Sequence, residues 1–470
     1  MSHEAEDVSP PPAHGSDEKE SLPLTEDSAA LRKRVLVLAW PVIGENLLET
    51  LLGIVDTVLV AGLGTAAVAG VGSGLQVMFF LLSALSALSI GSSILVAQAV
   101  GADDLGGASR LARQSLLWSV ILSVPLALFG FFLAAPMIRI FGVSDAVARI
   151  GTEYLQVTMA TIVVLVALTI GGGVLRGAGD SRTPMIVTAI ANVVNVALAY
   201  GLIYGHWGLP ALGAVGSAWA TFIARAIALV LLLCALWKGR NGVRIGGGGV
   251  WSPDWGVARQ VLRLGIPASL EQVLMASAFT VLTILVARLG TDTLAAQRIS
   301  ISALSFSFLP GFGFSMAATA LVGQSIGAGR PRIGKGVAKV ATIWAVIWMS
   351  VIGVLIFAFA TPIMGQFTDD PGVTRIGAGG LRVLALTQPF WAVGMVQSGA
   401  LRGTGDTRFP LIIGATGMWS TVLLVWLMLN FFGGGLVAVW FAFLVTSPIT
   451  AFLTWRRFRQ RIGELEEEKG

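Results

Sequence analysis

Two stretches of this chain are near copies of each other. Residues 175–184 read LRGAGDSRTP, and residues 401–410 read LRGTGDTRFP. We call the separation between position 175 and position 401 the repeat offset. The same offset relates other pairs of identical residues: Pro41 and Pro267, Glu45 and Glu271, Gln98 and Gln324, Gly101 and Gly327. An offset that holds over such a length indicates two copies of one structural unit in series.

The composition indicates a membrane protein. Of the 470 residues, 55% are apolar and 12% are charged, whereas soluble domains carry about a quarter charged residues. Apolar runs of about 20 residues, the length that crosses a hydrocarbon core, recur along the chain. We predict an all-α integral membrane protein with twelve transmembrane helices, six in each copy of the repeat: residues 35–63, 66–98, 113–136, 150–173, 184–206, 212–237, 260–288, 292–324, 337–362, 376–400, 410–432 and 434–455.

The basic residues predict the orientation of the chain. Most of the 31 Lys and Arg lie in the even-numbered connections and near the two ends, beginning with Arg32, Lys33 and Arg34. Because cytoplasmic loops of membrane proteins carry an excess of basic residues, we expect both termini to be cytoplasmic and the protein to lie in the cell (inner) membrane. The formal net charge of +5 reflects this topology, so we expect no nucleic-acid partner.

The repeat divides the chain into two pseudo-symmetric six-helix lobes. An even number of spans per lobe gives both lobes the same orientation, related by an axis along the membrane normal. Four consecutive glycines at 246–249 indicate a flexible connection between the lobes. The predicted segments are a disordered cytoplasmic tail (1–30), the N-lobe (31–237), a cytoplasmic linker (238–258), the C-lobe (259–456) and a second cytoplasmic tail (457–470).

Cysteine and histidine usage limits the kinds of site that the chain can build. Cys234 is the single cysteine, and the three histidines, His3, His14 and His206, fall in a tail or a loop. We therefore predict no disulfide, no thiolate or histidine-based metal site and no cofactor. An integral-membrane enzyme would need a cluster of catalytic side chains at one membrane face. The sequence shows no such cluster, so we predict that the protein is not an enzyme.

The first predicted span carries three acidic residues, Glu45, Glu49 and Asp56. At about 100° per residue, their spacing places all three on one stripe of the helix, and ionisable groups inside a membrane mark functional sites by default. Burial in a low dielectric disfavours the ionised form of a carboxyl group, so its protonation can select between conformations. Pro41 precedes the stripe and can bend the helix.

Polar residues on other spans can complete a site with these acids. Asn192, Asn195 and Thr221 offer amide and hydroxyl groups that bond a carboxylate or a small cation, although such residues also serve helix packing. The seventh span carries Glu271 and Gln272, and Glu271 repeats Glu45. The repeat position of Asp56 is Leu282, so we expect ion coupling in the N-lobe.

The twin LRG-x-GD loops have the residues of a structural turn. Glycine supplies unusual backbone angles, Asp can cap the helix that follows, and Pro opens that helix. A phosphate-binding role is the alternative, but the loops lack the Gly-Lys-Ser/Thr of a P-loop.

Several of these features together resemble the multidrug and toxic compound extrusion (MATE) family. They are Trp40-Pro41, Val55-Asp56-Thr57, the doubled LRG-x-GD-x-R-x-P loops and the Gln98 and Gln324 segments, and the similarity spans residues 35–460. The resemblance implies a V-shaped, twelve-helix fold of two lobes. It also implies export of amphipathic, often cationic, small molecules in exchange for H⁺ or Na⁺.

Within the family, the chain is most similar to the DinF-like branch. There the aspartate of the first span is the coupling site and the proline upstream helps to bend that helix, which implies these roles for Asp56 and Pro41. The fifth span of the branch often reads Asn-x-x-x-Asp, but here Asn195 is followed by Ala199, which favours H⁺ over Na⁺. Thr221 matches a threonine associated with the same site. The acid that the NorM-like branch has in its tenth span is absent from residues 376–400.

We therefore predict a secondary active multidrug efflux carrier that works by alternating access, as a monomer in contact with membrane lipid. A lipid or lipid-linked saccharide flippase of the same superfamily is the alternative, but it needs a basic cavity, and Arg225 is the only basic residue deep in a span. The predicted site residues are Asp56, Asn192, Asn195 and Thr221 for ion coupling, Pro41 for helix bending, and Glu45, Glu49, Glu271 and Gln272 for the substrate cavity or gate.

Overall fold

The computed structural model describes residues 27–247, 251–431 and 433–468, and these form fifteen α-helices. Most of the predicted N-terminal tail, linker residues 248–250 and the last two residues lie outside the described residues. In chain order the helices are α1 (Ser28–Ala61), α2 (Thr65–Gly101), α3 (Leu105–Arg139), α4 (Asp145–Ala160), α5 (Ile162–Gly177), α6 (Arg182–Tyr204), α7 (Ala214–Lys238), α8 (Trp255–Ala287), α9 (Thr291–Gly327), α10 (Pro331–Ala358), α11 (Ala360–Gly365), α12 (Pro371–Ala385), α13 (Gln388–Gly403), α14 (Arg408–Phe431) and α15 (Leu436–Glu467).

The chain is an all-helical, multi-pass membrane protein. Ten of the described helices are long and apolar enough to cross a membrane, and the pair α4–α5, bent by 53° at Thr161, makes an eleventh span. The predicted tenth span, 376–400, coincides with α12 and α13, which are separate pieces divided at Leu386 and Thr387. Length and composition alone support ten spans among the described helices, or eleven with α4–α5, against the twelve predicted, and α12 and α13 occupy the repeat positions of α4 and α5.

The two lobes contact each other mainly toward one end of the bundle. This end, here called the terminal face, holds the start of α1, the end of α15 and the loops that follow α2, α5, α7, α9 and α13. The first part of α1, with Val35 and Ala39, packs into an apolar cluster of the C-lobe. In the equivalent contact, Val257 and Val261 of α8 pack into a cluster of the N-lobe.

Toward the opposite face, each lobe has an apolar cluster of its own. The N-lobe cluster contains Val60 and Leu202, and the C-lobe cluster contains Leu282 and Trp440. Neither includes a buried residue of the other lobe. Lobes that pack together at one end and separately at the other form a V, as the family resemblance implied.

Symmetric hydrogen bonds join the lobes at the terminal face. Gln98 on α2 donates to the carbonyl oxygen of Gly403 at 3.1 Å, and Gln324 on α9 donates to that of Gly177 at 3.0 Å. The side-chain oxygen of Gln324 also accepts a bond from Arg34 at 2.9 Å. We refer to these bonds as the glutamine contacts. They join the end of each LRG motif to the second span of the other lobe.

The twin loops have the turn geometry that their sequences predict. Gly179 and Gly405 each have φ = +88°, a left-handed conformation that glycine adopts without strain. Asp180 accepts bonds from the backbone N–H groups of Arg182 and Thr183, as a residue capping the next helix should.

The linker between the lobes packs against the N-lobe. Val243 and Ile245 are buried in the N-lobe core. Further on, Asp254 caps α8 by accepting from Gly256 and Val257, and it pairs with Arg110 of α3. The bond from Arg110 holds the pKa of the Asp254 carboxyl below its ordinary value. The described part of the linker is therefore held to the surface of α3.

Candidate functional site: a charged cavity in the N-lobe

A cavity of about 530 Å³ lies inside the N-lobe, between α1, α2, α4, α5, α6 and α7. Its wall is largely apolar, with side chains such as Met78 and Leu82. Among the described residues that line it, the charged ones are Glu49, Asp56 and Arg225. An apolar chamber with a few charged groups is the usual form of a small-molecule site.

Asp56 is partly buried in the wall of this cavity. The Ser217 hydroxyl of α7, which has one hydrogen to donate, lies 2.9 and 2.8 Å from its two carboxylate oxygens. No Lys, Arg or His nitrogen in the described chain lies within 4.0 Å of this carboxylate. Asp56 is therefore held by a neutral partner and stays accessible to an ion or a cationic ligand.

The amide and hydroxyl residues predicted for the ion-coupling site line the same cavity as Asp56. Asn195 donates to the Thr221 hydroxyl at 3.0 Å, one helical turn along α7 from Ser217. Asn192 donates to the carbonyl oxygen of Leu48 on α1 at 2.7 Å. The side-chain oxygen of Asn195 is buried and has no hydrogen-bond partner in the described structure, so an acceptor is available to a proton donor or a cation.

Glu45 and Glu271 form a symmetric pair of ion pairs outside the cavity. Arg176, at the end of α5, lies 3.0 Å from Glu45, and Arg402, at the end of α13, lies 2.8 Å from Glu271. The repeat relates the two bridges, because the two arginines are separated by the same repeat offset as the two glutamates. Each bridge connects the first helix of a lobe to its LRG motif. The substrate or gating role predicted for these two glutamates stays a prediction.

The remaining predicted residues lie in different places. Glu49 lines the cavity. Pro41 is buried inside α1, which continues through it as one helix from Ser28 to Ala61. Gln272 is exposed and is not part of the cavity wall.

Some residues that shape this region are not predicted from the sequence. Arg176 and Arg402 belong to motifs that the sequence explains as turns, although the repeat offset that they share with the two glutamates could have indicated the pairing. Tyr154, which is 3% exposed and lines the cavity, gave no signal because the α4–α5 bend that positions it is not visible in the sequence pattern.

The sequence profile of the MatE family matches the chain twice, at residues 41–201 and 267–427. The second match begins and ends at the repeat positions of the first, so the unit that the family describes is the repeat itself. A two-lobed helical membrane protein with a site built from a repeated bundle has the architecture of a secondary transporter. The chain belongs to the MatE family of membrane transporters.

Known proteins of similar sequence and fold extend over almost the whole chain. The probable multidrug resistance protein NorM of Thermotoga maritima is 33% identical over 461 residues, which cover 94% of this chain and 97% of that protein. A solved structure of MATE in the bent conformation has a TM-score of 0.87 at 24% identity, covering 95% of this chain and 99% of that one. An outward-facing multidrug resistance MATE transporter has a TM-score of 0.86, also at 24% identity, covering 93% and 97%. These solved structures establish the fold.

Proposed function

We propose that this protein is a secondary active multidrug efflux carrier of the cell (inner) membrane, with both termini in the cytoplasm. It exchanges H⁺ for amphipathic or cationic compounds, and Asp56 is the coupling residue. The relative from Thermotoga maritima is named a probable multidrug resistance protein, which supports the substrate class. The observation that carries the proposal is the Asp56 carboxylate, which lines the N-lobe cavity with a hydroxyl as its partner.

The geometry supports a mechanism in which charge at Asp56 controls substrate and conformation together. An ionised Asp56 attracts a cationic ligand into the cavity. Protonation removes that charge and turns one oxygen from an acceptor into a donor, so that the Ser217 hydroxyl can donate only to the other oxygen. Because Asp56 lies on α1 and Ser217 on α7, the change alters how these two helices pack. Binding a proton can then release the ligand and shift the conformational equilibrium.

The cross-lobe contacts support an outward-facing state. With cytoplasmic termini, the terminal face, where the glutamine contacts join the lobes, is the cytoplasmic one. The two lobes, which pack separately toward the opposite face, would then leave the protein open to the exterior. The reset would separate the terminal face and release the proton inward.

The composition of the site favours H⁺ over Na⁺ and a drug over a lipid phosphate. One carboxylate with neutral oxygens around it is a weak cation site, and Ala199, at the second acidic position of the DinF-like branch, is fully buried. The charged wall residues are two acids and one base, which does not suit a phosphate-bearing flippase substrate. A DinF-like assignment accords with Asp56 and Pro41 on α1.

Dye efflux from proteoliposomes under an imposed pH gradient, and separately under an imposed Na⁺ gradient, tests this proposal. We expect the pH gradient to drive efflux in the wild type. Asp56→Asn should insert and fold yet reduce efflux to background, because its amide cannot be ionised. The matched control is Asp145→Asn, the same change at an exposed residue in the first turn of α4, which should behave as wild type. Efflux at the wild-type level in Asp56→Asn would remove Asp56 from the coupling role.

A further inference from the structure

Arg225 is a charged residue of the cavity wall that the efflux proposal does not use. It lies on α7 and lines the N-lobe cavity. No Asp or Glu oxygen in the described chain lies within 4.0 Å of its guanidinium, whereas Arg176 and Arg402 each have a glutamate partner. An arginine inside a membrane protein needs a partner or water, and its planar group presents donors that fit a carboxylate.

The depth of Arg225 follows from the contact between Asp56 and Ser217. Helices α1 and α7 cross the bundle in opposite directions, and this contact fixes their register. Glu49 lies seven residues from Asp56 toward the terminal face, and Arg225 lies eight residues from Ser217 in the same direction. At 1.5 Å per residue, both are about 10–12 Å deeper than the Asp56 contact. Glu49 and Arg225 therefore lie at about the same level without forming an ion pair.

The cavity thus presents an ordered set of charges. Asp56 is nearer the opposite face, and a base and an acid, Arg225 and Glu49, are at the deeper end. A purely cationic ligand would gain from the two acids and be repelled by Arg225. A ligand with an apolar body, an amine and a carboxylate would pair its carboxylate with Arg225 and its amine with one of the acids.

We infer that Arg225 is a specificity-determining residue that pairs with the carboxylate of zwitterionic substrates and sets their affinity relative to that of purely cationic ones. This inference rests on the proposed efflux function and assigns a residue of the same cavity to substrate selection. The C-lobe offers no equivalent, because the repeat positions of Glu49 and Arg225 are Met275 and Ala451.

A competing role for Arg225 is that of a fixed counter-ion for the two acids. In that role it would support folding and set the charge of the cavity, and its loss would change the binding of every cationic ligand in the same direction. A role in pairing with the substrate makes the effect depend on whether the ligand carries a carboxylate. A pair of probes that differ only in this group separates the two roles.

The test uses a rhodamine dye with a free carboxylate and its methyl ester, binding to purified full-length protein by fluorescence anisotropy. Arg225→Gln should weaken binding of the free acid by about tenfold, the usual effect of losing one charge-assisted bond. It should also tighten binding of the cationic ester, because the repulsion is gone. Arg225→Lys keeps the charge and should restore much of the free-acid affinity. The matched control is Arg298→Gln, at an exposed residue of α9 outside the cavity wall.

Equal changes for both dyes in Arg225→Gln, or no change for either, would overturn the inference, as would a wild type that binds neither dye. Transport of both dyes under a pH gradient distinguishes this result from failure of the proposed function. If the wild type transports neither dye but binds them with the expected dependence on Arg225, the efflux proposal fails and the assignment of Arg225 stands.

Discussion

The N-lobe and the C-lobe share a repeated frame but differ in their interiors. Both lobes have the glutamate–arginine bridge and the glutamine contact. Three polar residues at the N-lobe site, however, have apolar counterparts at the repeat positions of the C-lobe: Asp56 and Leu282, Asn192 and Met418, Ser217 and Phe443, whereas Asn195 and Thr221 correspond to the polar Thr421 and Ser447. The apolar counterparts belong to one buried cluster, in which Trp440 also has no exposed surface. The frame is therefore common to both copies, while the coupling chemistry that we propose belongs to one.

A single pair of positions illustrates how the C-lobe is filled. Tyr154 of the N-lobe corresponds to Gly380 of the C-lobe. A methyl group at Gly380 would lie 2.8 Å from the indole of Trp440, so the glycine makes room for the larger ring. The N-lobe position of Trp440 is Ala214. The two lobes thus place their large aromatic groups on different helices, and the N-lobe arrangement accompanies the charged cavity.

The largest effect is expected from exchanging the residue types at the positions of Asp56 and Leu282. Leu282 is 0% exposed, so Leu282→Asp puts a carboxyl group where it has no partner, at a cost of about 3 kcal/mol or more. We expect a large loss of folded protein, measured by thermal unfolding followed by size-exclusion chromatography. Asp56→Leu should instead fold as well as the wild type, because an apolar side chain fits the cavity wall. Similar stability of the two variants would contradict the difference between the lobes.

Removing either glutamate–arginine ion pair should lower the stability by a smaller amount, and by about the same amount in the two lobes. Arg402→Gln leaves Glu271, which is 6% exposed, with a neutral partner in place of a cation, and the loss of a charge-assisted bond should cost about 2 kcal/mol. Arg176→Gln should have a comparable effect through Glu45. Thermal unfolding of both variants measures this. A loss confined to one lobe would show that the bridges are not equivalent parts of a common frame.

Removing one of the glutamine contacts should have the smallest effect, which is a shift in the conformational population. Removing one neutral hydrogen bond costs about 1 kcal/mol, so Gln98→Ala should shift the population toward states with the terminal face separated, and Gln324→Ala should do so more strongly because Gln324 also binds Arg34. Distances between spin labels placed on the two lobes, in a background without Cys234, report this population. Unchanged distances in both variants would mean that these bonds do not hold the terminal face closed.

The sequence predicted the helical membrane fold well because the same structural unit occurs in it twice. The constant repeat offset identified the lobes, the turn residues of the twin loops and the unequal position of Asp56. Asn195 and Thr221, predicted on different spans, are in direct contact. A repeated motif, or a stripe of charged residues on one helix face, thus indicates which residues lie close together in the fold.

Other features depend on three-dimensional packing that we did not predict from the sequence. The partners of Glu45 and Glu271 lie 131 residues away in the chain, and only the three-dimensional packing of each lobe brings them together. The position of Arg225 at the depth of Glu49 depends on the register of α1 against α7, which the bond from Ser217 fixes. Gln272 is predicted because it adjoins Glu271, but neighbouring residues on a helix point about 100° apart, and it is exposed.

Main chain meets main chain where the lobes touch at the terminal face. A methyl group at Gly101 or Gly327 would collide with the carbonyl oxygen of the glutamine on the facing helix, and one at Gly265 would collide with that of Ala87. At these points the contact is made by backbone atoms and contains no long side chains. The two surfaces can therefore separate and come together again without changes of side-chain rotamer. The interface between the lobes is thus suited to repeated opening and closing. The methyl group added by Gly265→Ala would keep this interface from closing.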